Sequence, residues 1–110
     1  MPKFVTIGYG DEAGYNRTPQ SLRDAAHAQD AELLKKGVLI GMAGKPVQVR
    51  NHQAKAVERT QGPFMSSSLP VAGFAILEAD DLEAAIAMVS GTPCAIAFGV
   101  VEVWPLETPS

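Results

Sequence analysis

The chain is poor in the residues that most often carry chemistry. Its 110 residues include one cysteine, Cys94, so no disulfide can form within it. A lone thiol fits a reducing compartment, and the expected location is cytoplasmic. There are two histidines, His27 and His52, far apart in sequence. With no cysteine pair beside them, no metal-ligand spacing arises. Neither a metal nor any other cofactor is expected. Aromatic residues make up 6%, so small aliphatic side chains must build the core. Basic residues are scattered: nine Lys and Arg lie among twelve Asp and Glu, for a net charge of −3. A phosphate backbone needs a clustered basic face, which argues against nucleic acid as a partner. No apolar run reaches the roughly 20 residues that span a bilayer. The start, Met1-Pro2-Lys3-Phe4, lacks a secretory apolar stretch, and no membrane association is expected. Gly8-Tyr9-Gly10 is too short for a phosphate-binding loop.

What remains is an ordinary globular balance, 46% hydrophobic and 19% charged, of a length that suits one domain spanning 1–110. Lys3 to Tyr9 reads as a strand and Asp11 to Gly14 as a loop. Thr18 as cap and Pro19 in the first turn open a helix that runs to Lys36, with Gly37 at its stop. Val38 to Met42 is a second strand. Val47 to Arg50 and Ala56 to Arg59 read as a short hairpin inserted between larger elements. The rigid turn Thr60-Gln61-Gly62-Pro63-Phe64 separates that insert from the core, because Pro63 fixes its own φ and restricts Gly62. Val71 to Glu78 is a strand. Asp80 as cap and Glu83 open a second helix with a stripe of Leu82, Ala85, Ile86 and Val89. Ala95 to Trp104 is the closing strand, stopped by Pro105. Without the hairpin this is β-α-β-β-α-β, an α+β ferredoxin-like arrangement with two helices on one face of an antiparallel sheet. The closing strand reads as apolar on both sides, with Ile96, Phe98 and Val100 against Ala97, Gly99, Val101 and Val103. A helix-free apolar face needs a cover, and a second copy is the simplest one.

These segments resemble the YCII-related family, in particular its DGPF branch. The matching residues are Tyr9-Gly10-Asp11-Glu12, Lys36-Gly37 with Val38-Leu39-Ile40, and Thr60-Gln61-Gly62-Pro63-Phe64, in which Gln61 replaces the branch's usual aspartate. Gly73 to Leu82 and Gly99 to Pro105 are similar to the later segments. The resemblance implies a dimeric α+β barrel: two ferredoxin-like protomers pack sheet to sheet as a homodimer, with a pocket in or beside the interface. For the wider family it implies acid–base catalysis by a His–Asp pair. Carried over by position, the histidine site falls on Ala26 and the aspartate site on Thr92, before Pro93.

A local replacement is available. His27 and Asp30 are three apart on a helix and lie on the same side. A carboxylate there would orient the imidazole and raise its basicity. The competing reading is a solvated flank, since His27 lies roughly 140° from the apolar stripe at about 100° per residue. For a pocket, the candidates are Tyr9 and Asp11 at the strand end, Arg50 and Arg59 on the hairpin, and Gly62, Pro63 and Phe64 in the turn. Glu12 and Glu58 accompany them. The arginines suit an anionic ligand or simply a wet outer face, and Phe64 suits either a pocket wall or a hairpin anchor. Cys94 reads as a buried, inert thiol. Two functions follow: a small-molecule enzyme using acid–base chemistry near a dimer interface, or a non-catalytic dimer that binds a small ligand or another protein.

Overall fold

The computed structural model describes residues 1–107. Four antiparallel strands form the main sheet: β1 (Lys3–Tyr9), β2 (Leu39–Met42), β5 (Val71–Glu78) and β6 (Val100–Leu106), in the order β2-β5-β1-β6. Helices α1 (Glu12–Arg17) and α2 (Gln20–Lys35) follow β1, and α3 (Leu82–Val89) and α4 (Pro93–Ile96) lie between β5 and β6. The two-stranded hairpin β3 (Val47–Arg50) and β4 (Glu58–Gln61) forms a separate sheet. Strand order and connectivity are compatible with the ferredoxin-like arrangement.

The core follows from the register. Phe4 of β1 pairs with Leu77 of β5, and the alternate residues Thr6 and Ala75 continue along the same face. Phe4 and Leu77 pack with Leu33 of α2 and with Ala85 and Val89 of α3. The helix α2 ends as its sequence predicts. Gly37 takes φ +89°, its N–H bonds to the Leu34 carbonyl, and the Val38 N–H bonds to Leu33. This paired closure needs the left-handed glycine and brings apolar Val38 onto the helix.

The opposite face carries no helix. Val5, Ile76 and Trp104 form one row across it, and Ile7, Phe74 and Glu102 the next. Leu39 sits beside Ile76. Trp104 is 55% exposed and Leu39 67%. The open apolar face of the sequence reading is therefore present, but its composition differs.

The differences lie at the element ends. Asp11 does not start a loop: its carboxylate accepts from the Gly14 N–H at 2.8 Å and caps α1. Thr18 closes that helix, its hydroxyl donating to the Gly14 carbonyl, and Pro19 rather than Thr18 occupies the cap of α2. Asp81, not Asp80, caps α3 by accepting from Ala84. The hairpin's second strand starts at Glu58, two residues late, because a turn at His52–Ala54 with φ near +60° at Gln53 and Ala54 takes up chain.

The closing strand was expected from Ala95. Instead Thr92-Pro93 opens the single turn α4, since Pro suits a first helical turn. Phe98 then takes φ +63°, off the sheet, with the Arg17 guanidinium 4.2 Å from its ring centroid. Ile96 and Phe98 thus leave the predicted face. Pro105 does not stop β6; pairing runs through it to Leu106. An edge strand tolerates proline where the missing N–H points outward.

Candidate functional site

A cavity of about 340 Å³ lies between the sheet and the α2 and α4 helices. Its size falls in the ordinary range for small-molecule sites. Two glycines lower its floor. A Cβ on Gly73 would stand 2.6 Å from the Gly41 carbonyl oxygen, and one on Gly8 would stand 3.0 Å from Cys94 Sγ. The strands approach closely there, and the thiol occupies the space above Gly8. Thr6, Leu33, Ala75 and Val101 complete the walls, with Asp30 and Thr92 at the polar end. The Thr92 hydroxyl donates to the Val89 carbonyl at 2.6 Å.

Asp30 is the one carboxylate among the lining residues, and no histidine lines the cavity. Burial raises its pKa, partly offset by the positive charge of His27. Burial also raises the Cys94 thiol, and the Asp30 carboxylate adds to that rise. The cavity therefore disfavours negative charge on either group. Burial thus favours the neutral form of Asp30 more than water does, and Cys94 is a poor nucleophile.

His27 and Asp30 occupy one helix but do different things. No hydrogen bond or ion pair joins them among the described residues. His27 is exposed, with Nε2 2.9 Å from the Tyr15 hydroxyl of α1. The Arg23 guanidinium lies 5.0 Å from the Tyr15 ring centroid. His27 acts on Asp30 through charge alone. Ala26, its neighbour, is the residue that turns into the core.

The predicted pocket residues divide between two other hollows. Tyr9, Pro63 and Phe64 line a space of about 670 Å³ at the base of the hairpin, with Lys45, Met65, Leu69 and Phe74. The Tyr9 hydroxyl donates to Glu102 Oε1 at 2.5 Å. That bond, then burial, then the Glu102 charge raise the phenol's pKa. Arg50, Gly62, Pro63 and Phe64 meet in a shallow groove on the hairpin itself. There Arg50 donates to Gln48 Oε1 at 2.8 Å and its guanidinium lies 5.7 Å from the Phe64 ring centroid, while Gln48 donates to the Gly62 carbonyl. Phe64 is 79% exposed, so it walls these hollows with one edge and presents most of its surface outward. Asp11 is spent on its helix cap, and Arg59 lines none of the three spaces.

Thr6, Thr92, Cys94 and Glu102 were not singled out as site residues. Thr-Pro before Cys94 is a helix-start signal that would have lifted the cysteine off the strand. Glu102 is the single charge in an otherwise apolar run from Ala95 to Trp104, a signal in plain view. Among the described residues no cluster of ligands could hold a metal, and no helix is long and apolar enough to cross a membrane. None of the curated proteins matches the chain. The YCII-related domain matches residues 3–108, nearly the whole length, and the chain belongs to that family.

Proposed function

We propose that this YCII-related chain holds a small, largely apolar molecule in the cavity beneath α2 and α4, and that Asp30 exchanges a proton with the one polar group of that molecule. The observation that carries the reading is a lone carboxyl group, raised in pKa by burial, at the polar end of an apolar cavity. A carboxyl tuned upward toward the working pH is suited to general acid–base work. His27, with Tyr15, stands outside as a charge that limits that rise. The ligand is uncharged or cationic, since the cavity penalises a second anion. The Gly62-Pro63-Phe64 turn supports placement in the DGPF branch of the family. A single free thiol fits a cytoplasmic home.

We also propose a homodimer formed through the helix-free sheet face. Leu39, Phe74, Ile76, Val100 and Trp104 are each more than two-fifths exposed there, a contiguous apolar area of the kind that marks an interface. One observation favours the non-catalytic alternative, a dimer that binds a ligand without transforming it. The cavity offers one ionisable carboxyl group and no second charged residue to orient it.

The test is a nuclear magnetic resonance titration of the Asp30 carboxyl carbon, with and without phenol, benzamide and cyclohexanol as probes. The expected result is a midpoint above the ordinary carboxylate value of 3.8, displaced by a probe that also shifts the Thr92 and Cys94 amides. A midpoint at the ordinary value, with no probe disturbing those amides, would refute the assignment. Displacement by a probe without turnover of any compound class would favour binding over catalysis.

A further inference from the structure

The hairpin leaves the body of the molecule. The radius of gyration is 16.0 Å and the long axis 53 Å, whereas a compact chain of this length has a radius near 13 Å. Neither hairpin strand packs broadly on the main sheet. This arm is also electrically unlike the rest. Residues 45–61 hold Lys45, Arg50, Lys55 and Arg59 against Glu58, a net +3. The whole chain carries −3, so the remaining residues carry −6.

The arm has two distinct faces. Val47 pairs with Gln61 and Val49 with Arg59, so the two valines and Arg59 share one side; Gln48, Arg50, Glu58 and Thr60 share the other. The second side is knitted together by the Arg50, Gln48 and Thr60 hydrogen bonds. The first side is unoccupied: Val49 is 64% exposed, and Arg59 makes no ion pair or side-chain hydrogen bond among the described residues.

The β6 side of the open sheet face is its complement. Val100 and Trp104 flank Glu102, all on one face, and the only side chain bonded to Glu102 among the described residues is the Tyr9 phenol. Two valines with an arginine thus match two apolar residues with a carboxylate. The arm leaves its own sheet from β2, at the edge opposite β6, some three strand spacings or about 14 Å away. Among the described residues no ion pair joins Arg59 to Glu102 within one chain, which leaves the β6 of a second copy as the complementary surface.

We infer that the hairpin arm of one copy clasps the β6 side of a second copy's open sheet face, laying Val47 and Val49 beside Val100 and Trp104 and setting Arg59 against Glu102. Two-fold symmetry makes the clasp reciprocal. The inference rests on the homodimer proposed above and adds a cation for a carboxylate that sheet-to-sheet packing alone would bury with only the Tyr9 phenol as its partner.

Sedimentation equilibrium of the full chain tests it across a concentration series at low salt. Arg59→Glu and Glu102→Arg should each weaken the dimer about tenfold or more, and the double exchange should restore most of the loss, as coupled charges do. A variant with residues 47–61 replaced by a short Gly-Ser linker should dissociate at least as readily as Arg59→Glu. Because the arm lies outside the core, Arg59→Glu should keep the native circular dichroism and the trimmed variant its helical signal and cooperative unfolding. A dimer of unchanged strength in Arg59→Glu and in the trimmed variant would overturn the clasp while leaving the sheet-face dimer standing. Equal weakening by the two charge variants with no recovery in the double exchange would overturn the Arg59–Glu102 pairing. A wild-type chain that stays monomeric would remove both clasp and dimer.

Discussion

Filling the cavity floor at Gly8 gives a prediction whose sign depends on a second residue. The Gly8→Ala methyl would stand 3.0 Å from Cys94 Sγ and 3.4 Å from Cys94 Cβ, with the Gly73 carbonyl at 3.8 Å. Only the first contact is strongly compressed. Overpacking of this kind costs about 1–3 kcal/mol. Against it, replacing a strand glycine by alanine contributes about 0.5–1 kcal/mol through lost unfolded-state freedom. The net in the wild-type background is a loss of about 1 kcal/mol. Cys94→Ala removes the sulfur and leaves the 3.4 Å contact, which is ordinary packing. In that background the same change at Gly8 should gain about 0.5 kcal/mol. The coupling between the two positions is then on the order of 1–2 kcal/mol, within the range seen for touching residues. Urea unfolding of the four proteins reads it directly, as a midpoint that falls with Gly8→Ala alone and rises when Cys94→Ala is present. Equal effects in both backgrounds would show that the thiol does not occupy the cavity floor, and the site would have to be redrawn.

Other expectations concern the charges and the core. Asp30 has a folded pKa above its unfolded value, so its protonated form contributes stability that is fully present below the ordinary 3.8 and lost as pH rises through the raised value. Asp30→Asn should therefore melt higher than wild type at neutral pH, and the advantage should vanish in acid; a constant offset at all pH would disprove the shift. Cys94 should react slowly with iodoacetamide at neutral pH and faster as pH rises, and Asp30→Asn should speed it at fixed pH by removing the charge that raises the thiol. His27→Ala should raise the Asp30 midpoint further, since the His27 charge is what lowers it. Leu77→Ala should cost about 2–5 kcal/mol in urea unfolding, because this side chain is 1% exposed and packs on Phe4.

The sheet was legible because its strands carry long β-branched and aromatic runs, and α2 because its glycine stop has a local physical cause. The insert at Val47 to Arg59 was visible from its short alternation and its Pro-Gly borders. What failed was local competition. Residues 95–99 have strand-like composition, yet Pro93 two residues earlier favours a helical turn, and that turn carries Ile96 and Phe98 off the sheet. Asp11 and Asp81 reach their caps through three-residue hydrogen bonds that one-residue changes of frame disguise. The site was half visible. Asp30 could be named from its place on a helix, but its environment is assembled by Gly8, Gly73 and Thr92 from three separate segments, and no sequence spacing encodes that meeting. Tyr9 and Phe64, named as pocket candidates, line a different hollow from Asp30.

Pro105 bears on how this molecule meets its neighbours. Pairing with β1 continues without a shift through Pro105 to Leu106, so the missing N–H is not one that the ladder uses. It falls on the outer rim of β6, where an incoming strand would need a donor. The opposite rim, β2, is only four residues long. Neither flank offers the long, regular backbone template on which chains stack into fibrils. Crowding should therefore find no edge of the main sheet on which to build an open-ended polymer, whatever contacts its faces make.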